Sequence, residues 1–171
     1  MAGGGLFDPN FRRAVVLVAD HDEAGAAGVV LNRRAEVDVG DAAPSLTSLV
    51  SPEDRLFIGG PVQPQSAVVL ADYEHPDLAD RLVFGSIGLV TGDEEAPALQ
   101  GIRRARVFAG YAGWGPGQLD TELEEESWLV DDPTPDDVFT STPNLLWSAV
   151  VRRKGSRFSM LALMPDDPSL N

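Results

Sequence analysis

Short apolar runs separated by glycine and polar residues recur along the first part of the chain. The runs at Ala14–Ala19 and Ala27–Leu31 flank a polar, glycine-containing connection, which predicts two strands in a hairpin or an adjacent pair. Further runs bounded by turn residues predict strands at RLFIGG (55–60), SAVVLAD (66–72), RLVFGS (81–86), GLVTGD (88–93) and ARVFAGYAG (105–113). The pattern therefore predicts high β content, with strands close together in sequence.

Apolar residues recur at helical spacing near the C-terminal end of the chain. A helix is predicted over 143–154, because Thr142 can act as its N-cap and Pro143 is favoured at the first helical position. Basic residues fill the last turn of this helix, and Gly155 can end it. Its apolar face is formed by Leu146, Trp147, Val150 and Val151.

A second helix is predicted over 117–127, where Leu119 and Leu123 lie one turn apart. Shorter helical turns are expected at 45–50 and at 134–139. Because the helices follow runs of strands rather than alternating with them, the pattern predicts the α+β class.

Length and composition predict one domain spanning residues 1–171, with residues 1–5 expected to be flexible. Apolar residues make up 43% of the chain, enough for a core. The absence of cysteine excludes disulfides, thiolate metal sites and cysteine nucleophiles. No apolar run is long enough to span a membrane, and the first ten residues do not resemble a secretory signal. We therefore expect a cytoplasmic protein that makes no membrane contact.

The charge of the chain is strongly negative and unevenly distributed. Thirteen basic and 27 acidic residues give a formal net charge of −14, and nine of the acids fall within 120–137. Affinity for nucleic acid depends on Lys and Arg that neutralise phosphates, so direct DNA binding is disfavoured. A solvated acidic surface is the favoured interpretation. The basic residues form small groups that could bind an anion if they met on one face: 12–13, 33–34, 103–106 and 152–154.

The stretch FAGYAGWGPGQLDTELEEESW (108–128) combines glycines, aromatic residues and acids. A glycine-rich turn before a helix can present backbone N–H groups to a phosphate. The acids beginning at Asp120 oppose that interpretation, and the glycines match no phosphate-loop motif, so a structural turn is favoured and a contact surface remains an alternative. The tryptophans are expected in the core or a subunit contact rather than in a base-stacking platform: Trp114, Trp128 and Trp147.

Three other polar residues are candidates for chemistry. His21 stands between Asp20 and Asp22, and a nearby carboxylate can orient a histidine as a general base. A turn histidine making local hydrogen bonds is the favoured alternative. Asn32 and Arg33 end the second predicted strand, where the arginine could receive a carboxylate or phosphate, although an ion pair within the acidic surface is favoured. No spacing indicates a metal or cofactor site, so we expect neither.

Several stretches together resemble one known family. FDPNFRRAVVLVADHDEAGAAGVVLNR, FIGGPV, GYAGWGPGQLDTELEEESWLV, LLW and PDDPSLN occur in the same order in the AlgH/YqgE-like bacterial proteins. The resemblance covers about Leu6 to Asn171, and GYAGWGPGQL is its most specific part. It implies a single α+β domain with a bifurcated, barrel-like β-sheet flanked by helices.

The resemblance carries no activity, cofactor or catalytic residue with it. Family members are labelled transcriptional regulators because of an association with alginate control in one lineage. The chain departs from the common pattern at Asp20, Arg34 and Ala71, where Glu, Pro and His are usual, and the missing His weakens a two-histidine site. The matched positions are Asp8, His21, Gly28, Asn32, Arg33, Gly59, Gly60, Pro61, Gly110, Trp114, Gly115, Gln118, Leu119 and Trp128.

Two functions compete on these observations. The first is a non-enzymatic regulatory or adaptor domain that acts through a protein partner, indicated by the acidic segment 120–137 and aromatics such as Trp114. The second is an enzyme that binds a small molecule or anion in one pocket formed by His21, Asn32, Arg33 and Gln118. The second hypothesis requires these four side chains to converge, which a structure can test.

Overall fold

A computed structural model describes residues 11–90 and 101–155. Within this part the chain forms an eight-stranded sheet with four α-helices and two 3-10 turns, at Pro44–Leu46 and Pro76–Leu78. The helices are α1 Val39–Ala42, α2 Gln118–Glu124, α3 Pro135–Val138 and α4 Pro143–Arg153. The strands are β1 Val16–Asp22, β2 Gly25–Val30, β3 Arg34–Asp38, β4 Arg55–Ile58, β5 Val62–Tyr73, β6 Arg81–Phe84, β7 Ile87–Leu89 and β8 Ile102–Trp114.

Strand β8 is the centre of the sheet. The main strand order is β1-β2-β8-β5-β7-β6, and β5 pairs with β8 over most of its length. The other edge of β8 is shared, because β2 pairs at 112–114 and β4 pairs in parallel at 108–109. The two ends of the strand order approach each other where Asp20 of β1 and Arg81 of β6 form an ion pair of 2.7 Å. The predicted α+β, bifurcated and barrel-like single domain is therefore confirmed.

Glycines occupy the point where the sheet divides. Gly110 lies in β8 between the residues paired with β4 and those paired with β2, and its φ is +67°. A Cβ atom at this position would lie 2.6 Å from the Gly60 carbonyl oxygen and 2.8 Å from that of Val62. A Cβ on Gly59 would collide with the Gly110 carbonyl. Glycine is therefore needed here both for backbone conformation and for close backbone approach.

Helix α4 closes the main hydrophobic core. All four residues of its predicted apolar face are buried, and they join a cluster with side chains from β4, β5, β7 and β8. Each such side chain contributes roughly 1.5–3 kcal/mol by leaving water. The helix ends as predicted, with Gly155 following it at φ +105°. Thr142 stands at the N-cap, but its hydroxyl makes no capping bond and instead lies 3.5 Å from that of Thr140.

Most of the predicted strands are confirmed, with three differences. Strand β3 was not predicted because its sequence is largely polar and exposed. The helix expected at 45–50 is reduced to one 3-10 turn at its start. Strand β8 continues through Gly110 and Gly113 to Trp114, so the glycine-rich turn is confined to 115–117. The expectations for residues 1–5, Asp8, the end of GLVTGD and PDDPSLN lie outside the described residues.

Candidate functional site

Three aromatic residues form a cluster at the C-terminal end of β8. The Trp114 and Trp128 rings meet edge to face at 5.8 Å between centroids, and Phe11 contacts both at 6.0 and 5.6 Å. Both tryptophans are buried. Aromatic pairs at these distances contribute about 0.5–1.5 kcal/mol beyond simple burial. The cluster therefore holds the end of β8 against the chain that follows α2.

One carboxylate satisfies both buried indoles. Glu122 Oε2 accepts hydrogen bonds from Trp114 Nε1 at 2.9 Å and from Trp128 Nε1 at 2.7 Å. Its other oxygen accepts a 2.9 Å hydrogen bond from Gln118 Nε2. The Gln118 carbonyl oxygen in turn accepts from the Gly115 backbone N–H at 3.0 Å. A continuous chain of hydrogen bonds thus runs from the glycine-rich turn to Trp128.

Helix α2 presents these groups because of its sequence spacing. Gly117 takes the left-handed conformation at the N-cap, with φ +69°, and allows the chain to turn from β8 into the helix. Gln118 and Glu122 are four residues apart and therefore lie on the same face. Leu119 and Leu123 occupy the adjoining face, where Leu119 is buried and Leu123 half-buried.

A cavity of about 280 Å³ opens beside this cluster, and we call it the tryptophan cavity. Its lining comprises Val16, Leu17, Val18, His21, Trp114, Leu119, Leu123, Trp128, Leu129, Val130, Asp131 and Pro133. Val130 is 64% exposed, which is the largest exposure among the described large apolar residues. Among the described residues of this lining there is no lysine or arginine, and exposed acids such as Asp120 and Glu124 occupy the adjacent helix. The cavity is mainly apolar inside and acidic on the side of α2, whereas Asp131 on its other side forms ion pairs with Arg153 and Lys154.

His21 lies at the edge of the tryptophan cavity. Its Nε2 atom is 3.2 Å from Asp120 Oδ1, and both side chains are substantially exposed. Among the described residues of the cavity lining there is no hydroxyl, thiol or amine side chain that the histidine could activate as a nucleophile. In the described part of the chain, no group of three or more His, Cys, Asp or Glu residues is arranged to hold a metal ion. The geometry therefore joins His21 of β1 to Asp120 of α2 at the edge of the cavity.

The structure places the residues of the predicted pocket, His21, Asn32, Arg33 and Gln118, in different surroundings: His21 lines the tryptophan cavity, whereas Asn32 and Arg33 line another opening. Asn32 holds the backbone, since its Oδ1 accepts from Val15 N at 2.9 Å and its Nδ2 donates to the Arg13 carbonyl at 2.9 Å.

The pairing of β1 with β2 places His21 far from Asn32. His21 pairs with Ala26 at the start of β2, whereas Asn32 follows its end. Six residues at about 3.3 Å each place these positions roughly 20 Å apart. Arg33 lines a different cavity from His21.

A second cavity, of about 290 Å³, lies where β3, β4 and β8 meet the start of α4, and we call it the arginine groove. Arg34, Arg55 and Arg106 line it together with Glu53 and Asp54. A neighbouring opening that contains Asn32 and Arg33 shares three of its lining residues, Arg34, Ser141 and Pro143, so the two openings adjoin each other.

Arg106 is held rigidly in the arginine groove. Its guanidinium donates to the Val138 carbonyl at 2.7 Å and to the Thr140 carbonyl at 3.0 Å, and it lies 4.2 Å from the Phe57 ring centroid. Burial, together with the charges of Arg104 and Arg34, lowers the pKa of Arg106 to about 10, although Asp54 acts in the opposite direction. Even so, the group is positively charged at neutral pH.

Two buried carboxylates serve the fold. Asp72 accepts from Ser86 Oγ at 2.7 Å and from Arg104 Nε at 3.1 Å. Burial raises the pKa of Asp72, but these bonds and the two neighbouring arginines bring it below its usual value. Asp137 accepts from both terminal nitrogens of Arg153, at 3.0 and 3.1 Å. These pairs fasten β5 to β8 and α3 to α4.

Neither Glu122 nor Arg106 was among the sequence candidates. The spacing of Gln118 and Glu122 along a predicted helix could have indicated that they interact. The link from Glu122 to the two indoles is a tertiary contact, so no local pattern indicates it. Arg106 lies in a recognised basic group, but its burial depends on α3 and α4, which follow much later in the chain.

Comparison with known proteins agrees with this architecture of a nearly closed, forked sheet. The AlgH-like family model matches residues 1–159, and the chain belongs to this family. A UPF0301 protein of Streptomyces coelicolor is 48% identical over 175 residues, covering 97% of this chain and 90% of the relative. A UPF0301 protein of Thermobifida fusca is 40% identical over 179 residues, with 97% and 90% coverage.

Two solved structures share the fold. The crystal structure of protein DIP2367 from Corynebacterium diphtheriae has a TM-score of 0.84 and 28% sequence identity, covering 95% of this chain and 88% of that one. The solution structure of the AlgH protein from Pseudomonas aeruginosa has a TM-score of 0.72 and 27% identity, with 96% and 91% coverage. In the described part of this chain, no helix has the length and apolar character needed to cross a membrane.

Proposed function

We propose that this chain is a non-enzymatic regulatory or adaptor domain that binds a basic segment of a protein partner at the tryptophan cavity. The partner segment places one apolar side chain in the cavity and lysine or arginine residues beside it. The observation that carries the proposal is the combination of an open apolar cavity with the exposed acids of α2 beside it. Any regulation of transcription then passes through a partner protein rather than through direct contact with DNA.

The cavity is suited to an apolar anchor. Buried aromatic and aliphatic side chains form its floor, and the hydrogen bonds of Glu122 keep both tryptophans in place before a partner arrives. A preorganised pocket binds more tightly because fewer side chains lose freedom on association. Val130 supplies exposed apolar surface at the opening, where a partner gains by covering it.

Charge complementarity selects the flanking residues of the partner. The region 107–151 contains no lysine or arginine, and it supplies α2 and most of the cavity lining. Exposed acids around a binding surface accelerate association with a basic partner and repel acidic ones. An enzyme is less well supported, because His21 has no nucleophile beside it in the cavity and the four residues of the competing pocket are divided.

A peptide display experiment tests this proposal. Random peptides selected on the immobilised chain are expected to share a large apolar residue flanked by Lys or Arg. The Val130→Lys variant is expected to weaken a selected peptide by about tenfold or more, because it removes apolar surface at the opening and adds a positive charge that repels the basic residues of the peptide. Leu145→Lys is the matched control, since Leu145 is an exposed apolar residue on α4 with 53% exposure. It should leave binding unchanged.

Three outcomes would contradict the proposal. The first is a set of selected peptides that is acidic or has no common sequence. The second is equal weakening of peptide binding by the two variants. The third comes from sedimentation of the free chain, which measures its self-association. Self-association that Val130→Lys abolishes and Leu145→Lys does not would assign the cavity to a second copy of the chain instead.

A further inference from the structure

The arginine groove has features of a binding site that are independent of the tryptophan cavity. Two arginines reach it from distant parts of the chain, Arg34 from β3 and Arg106 from β8. They lie close enough for the charge of Arg34 to act on Arg106. Like charges repel, so bringing two guanidinium groups together in a protein with a net charge of −14 requires compensation.

Within the described residues, carboxylates only partly compensate the repulsion between Arg34 and Arg106. Every carboxylate found there lies beyond ion-pair distance of Arg34 and of Arg106, although Asp54 is close enough to influence Arg106. Arg55 does have a partner, because its Nε atom lies 3.1 Å from Asp38 Oδ1. Arg106 donates two hydrogen bonds to carbonyl groups, out of the five that a guanidinium can donate.

The start of α4 adds polar groups to the same groove. Ser141 and Pro143 line both the arginine groove and the neighbouring opening. Asn144 lines the neighbouring opening. The first turn of α4 contains no acidic residue, and its N-cap side chain forms no capping bond. Pro143 has no backbone N–H, and the Leu145 N–H donates to the Thr142 carbonyl at 2.9 Å, so among these residues Asn144 offers the N–H that can face an anion. Helix α3, by contrast, has a complete capping box.

We propose that the arginine groove binds the phosphate group of a small anionic molecule. Arg34 and Arg106 contact the phosphate oxygens, and Ser141 and the start of α4 lie beside them. A phosphate carries close to two negative charges at neutral pH, which matches two guanidinium groups better than a single carboxylate does. Glu53 and Asp54 lower the overall field of the groove, so direct hydrogen bonds provide the affinity. This site is distinct from the partner-binding cavity.

Titration of the chain with inorganic phosphate, followed by NMR of the backbone amides at constant ionic strength, tests the inference. Saturable shifts are expected at Arg34, Ser141 and Asn144, with a dissociation constant on the order of 1 mM or tighter. Arg34→Gln should weaken binding at least about tenfold, because it removes hydrogen bonds between charged groups. The exposed Arg34 side chain makes this variant safe for folding. Arg152→Gln, an equal charge change at an exposed position near the other end of α4, should leave binding unchanged.

Two further comparisons test whether the groove recognises phosphate through the paired nitrogens of the guanidinium groups. Arg106→Lys retains the charge but loses the planar fork, so it should also weaken phosphate binding. Acetate at the same concentration is expected to bind more weakly than phosphate. The inference is overturned if phosphate causes no saturable shifts, if Arg34→Gln and Arg152→Gln behave alike, or if acetate binds as tightly. None of these results depends on whether a protein partner occupies the tryptophan cavity.

Discussion

Replacing Glu122 with glutamine tests how the tryptophan cavity is held open. The substitution preserves the size and shape of the side chain but removes its charge. In the structure the carboxylate accepts three hydrogen bonds, from Trp114, Trp128 and Gln118. A glutamine has one acceptor oxygen and one NH₂ group, so its NH₂ group would face that of Gln118. Gln118 can reverse its amide only by turning its own NH₂ group toward the Gly115 N–H.

The size of the effect follows from the hydrogen bonds to the two buried indoles. A hydrogen bond to a charged acceptor contributes about 2 kcal/mol and a neutral one about 1 kcal/mol. Two indole bonds that become neutral therefore cost about 2 kcal/mol of unfolding free energy. The bond to Gln118 is exposed and adds little. For a domain of this size, the loss corresponds to a decrease in Tm of roughly 4–8 °C.

Urea denaturation monitored by tryptophan fluorescence measures this loss, since two of the three tryptophans contact Glu122. Glu124→Gln is the matched control, because it makes the same charge change at an exposed position of the same helix. We expect the control to change stability by less than about 0.5 kcal/mol. NMR signals of the indole N–H groups should exchange faster with water in Glu122→Gln. Equal stability of the two variants would refute the assignment of Glu122 as the support of the cavity.

Two further predictions concern the fold. Gly110→Ala is expected to lower the free energy of unfolding by about 1–3 kcal/mol more than Gly117→Ala in urea denaturation. Both glycines have φ near +70°, but only Gly110 has backbone oxygens where the Cβ would lie, so equal losses would contradict this reasoning. Burial raises the pKa of Asp137, but hydrogen bonds from Arg153 and Thr134 bring it below its usual value, so the stability it contributes is present above about pH 4 and is lost as pH falls further. Calorimetry of Asp137→Asn should show lower stability at pH 7 and a shallower decline below pH 5, whereas parallel pH profiles would exclude the effect.

The elements that could be predicted from the sequence are those whose buried residues form an apolar run or an apolar helical face. The strands facing the core are apolar runs, and α4 has both a helical apolar face and recognisable ends. Strand β3 leaves no such mark, because its residues are mostly exposed and its pairing with β4 is irregular. Gly110 resembles a turn residue in sequence, but it lies inside β8 because the sheet divides there.

The candidate sites were less predictable because they depend on contacts between distant segments. His21 and Asn32 are close in sequence, but the antiparallel hairpin places them at opposite ends of β2. Arg34 and Arg106 meet only because β4 joins β3 to β8. The sequence shows aromatics beside acids and basic groups at 33–34 and 103–106, but it does not indicate which of these residues share a cavity.

The central position of β8 also determines the order in which the fold can be completed during synthesis. Strands β2, β4 and β5 all precede β8 in the chain, and each needs it as a pairing partner. At about 10 residues per second, the ribosome reaches β8 roughly 7 s after it has made β2. Throughout that interval the β1–β2 hairpin can form, but the edge of β2 that pairs with β8 remains open. An open strand edge invites pairing with other chains. The nascent protein is therefore most vulnerable to aggregation before residue 114 is synthesised.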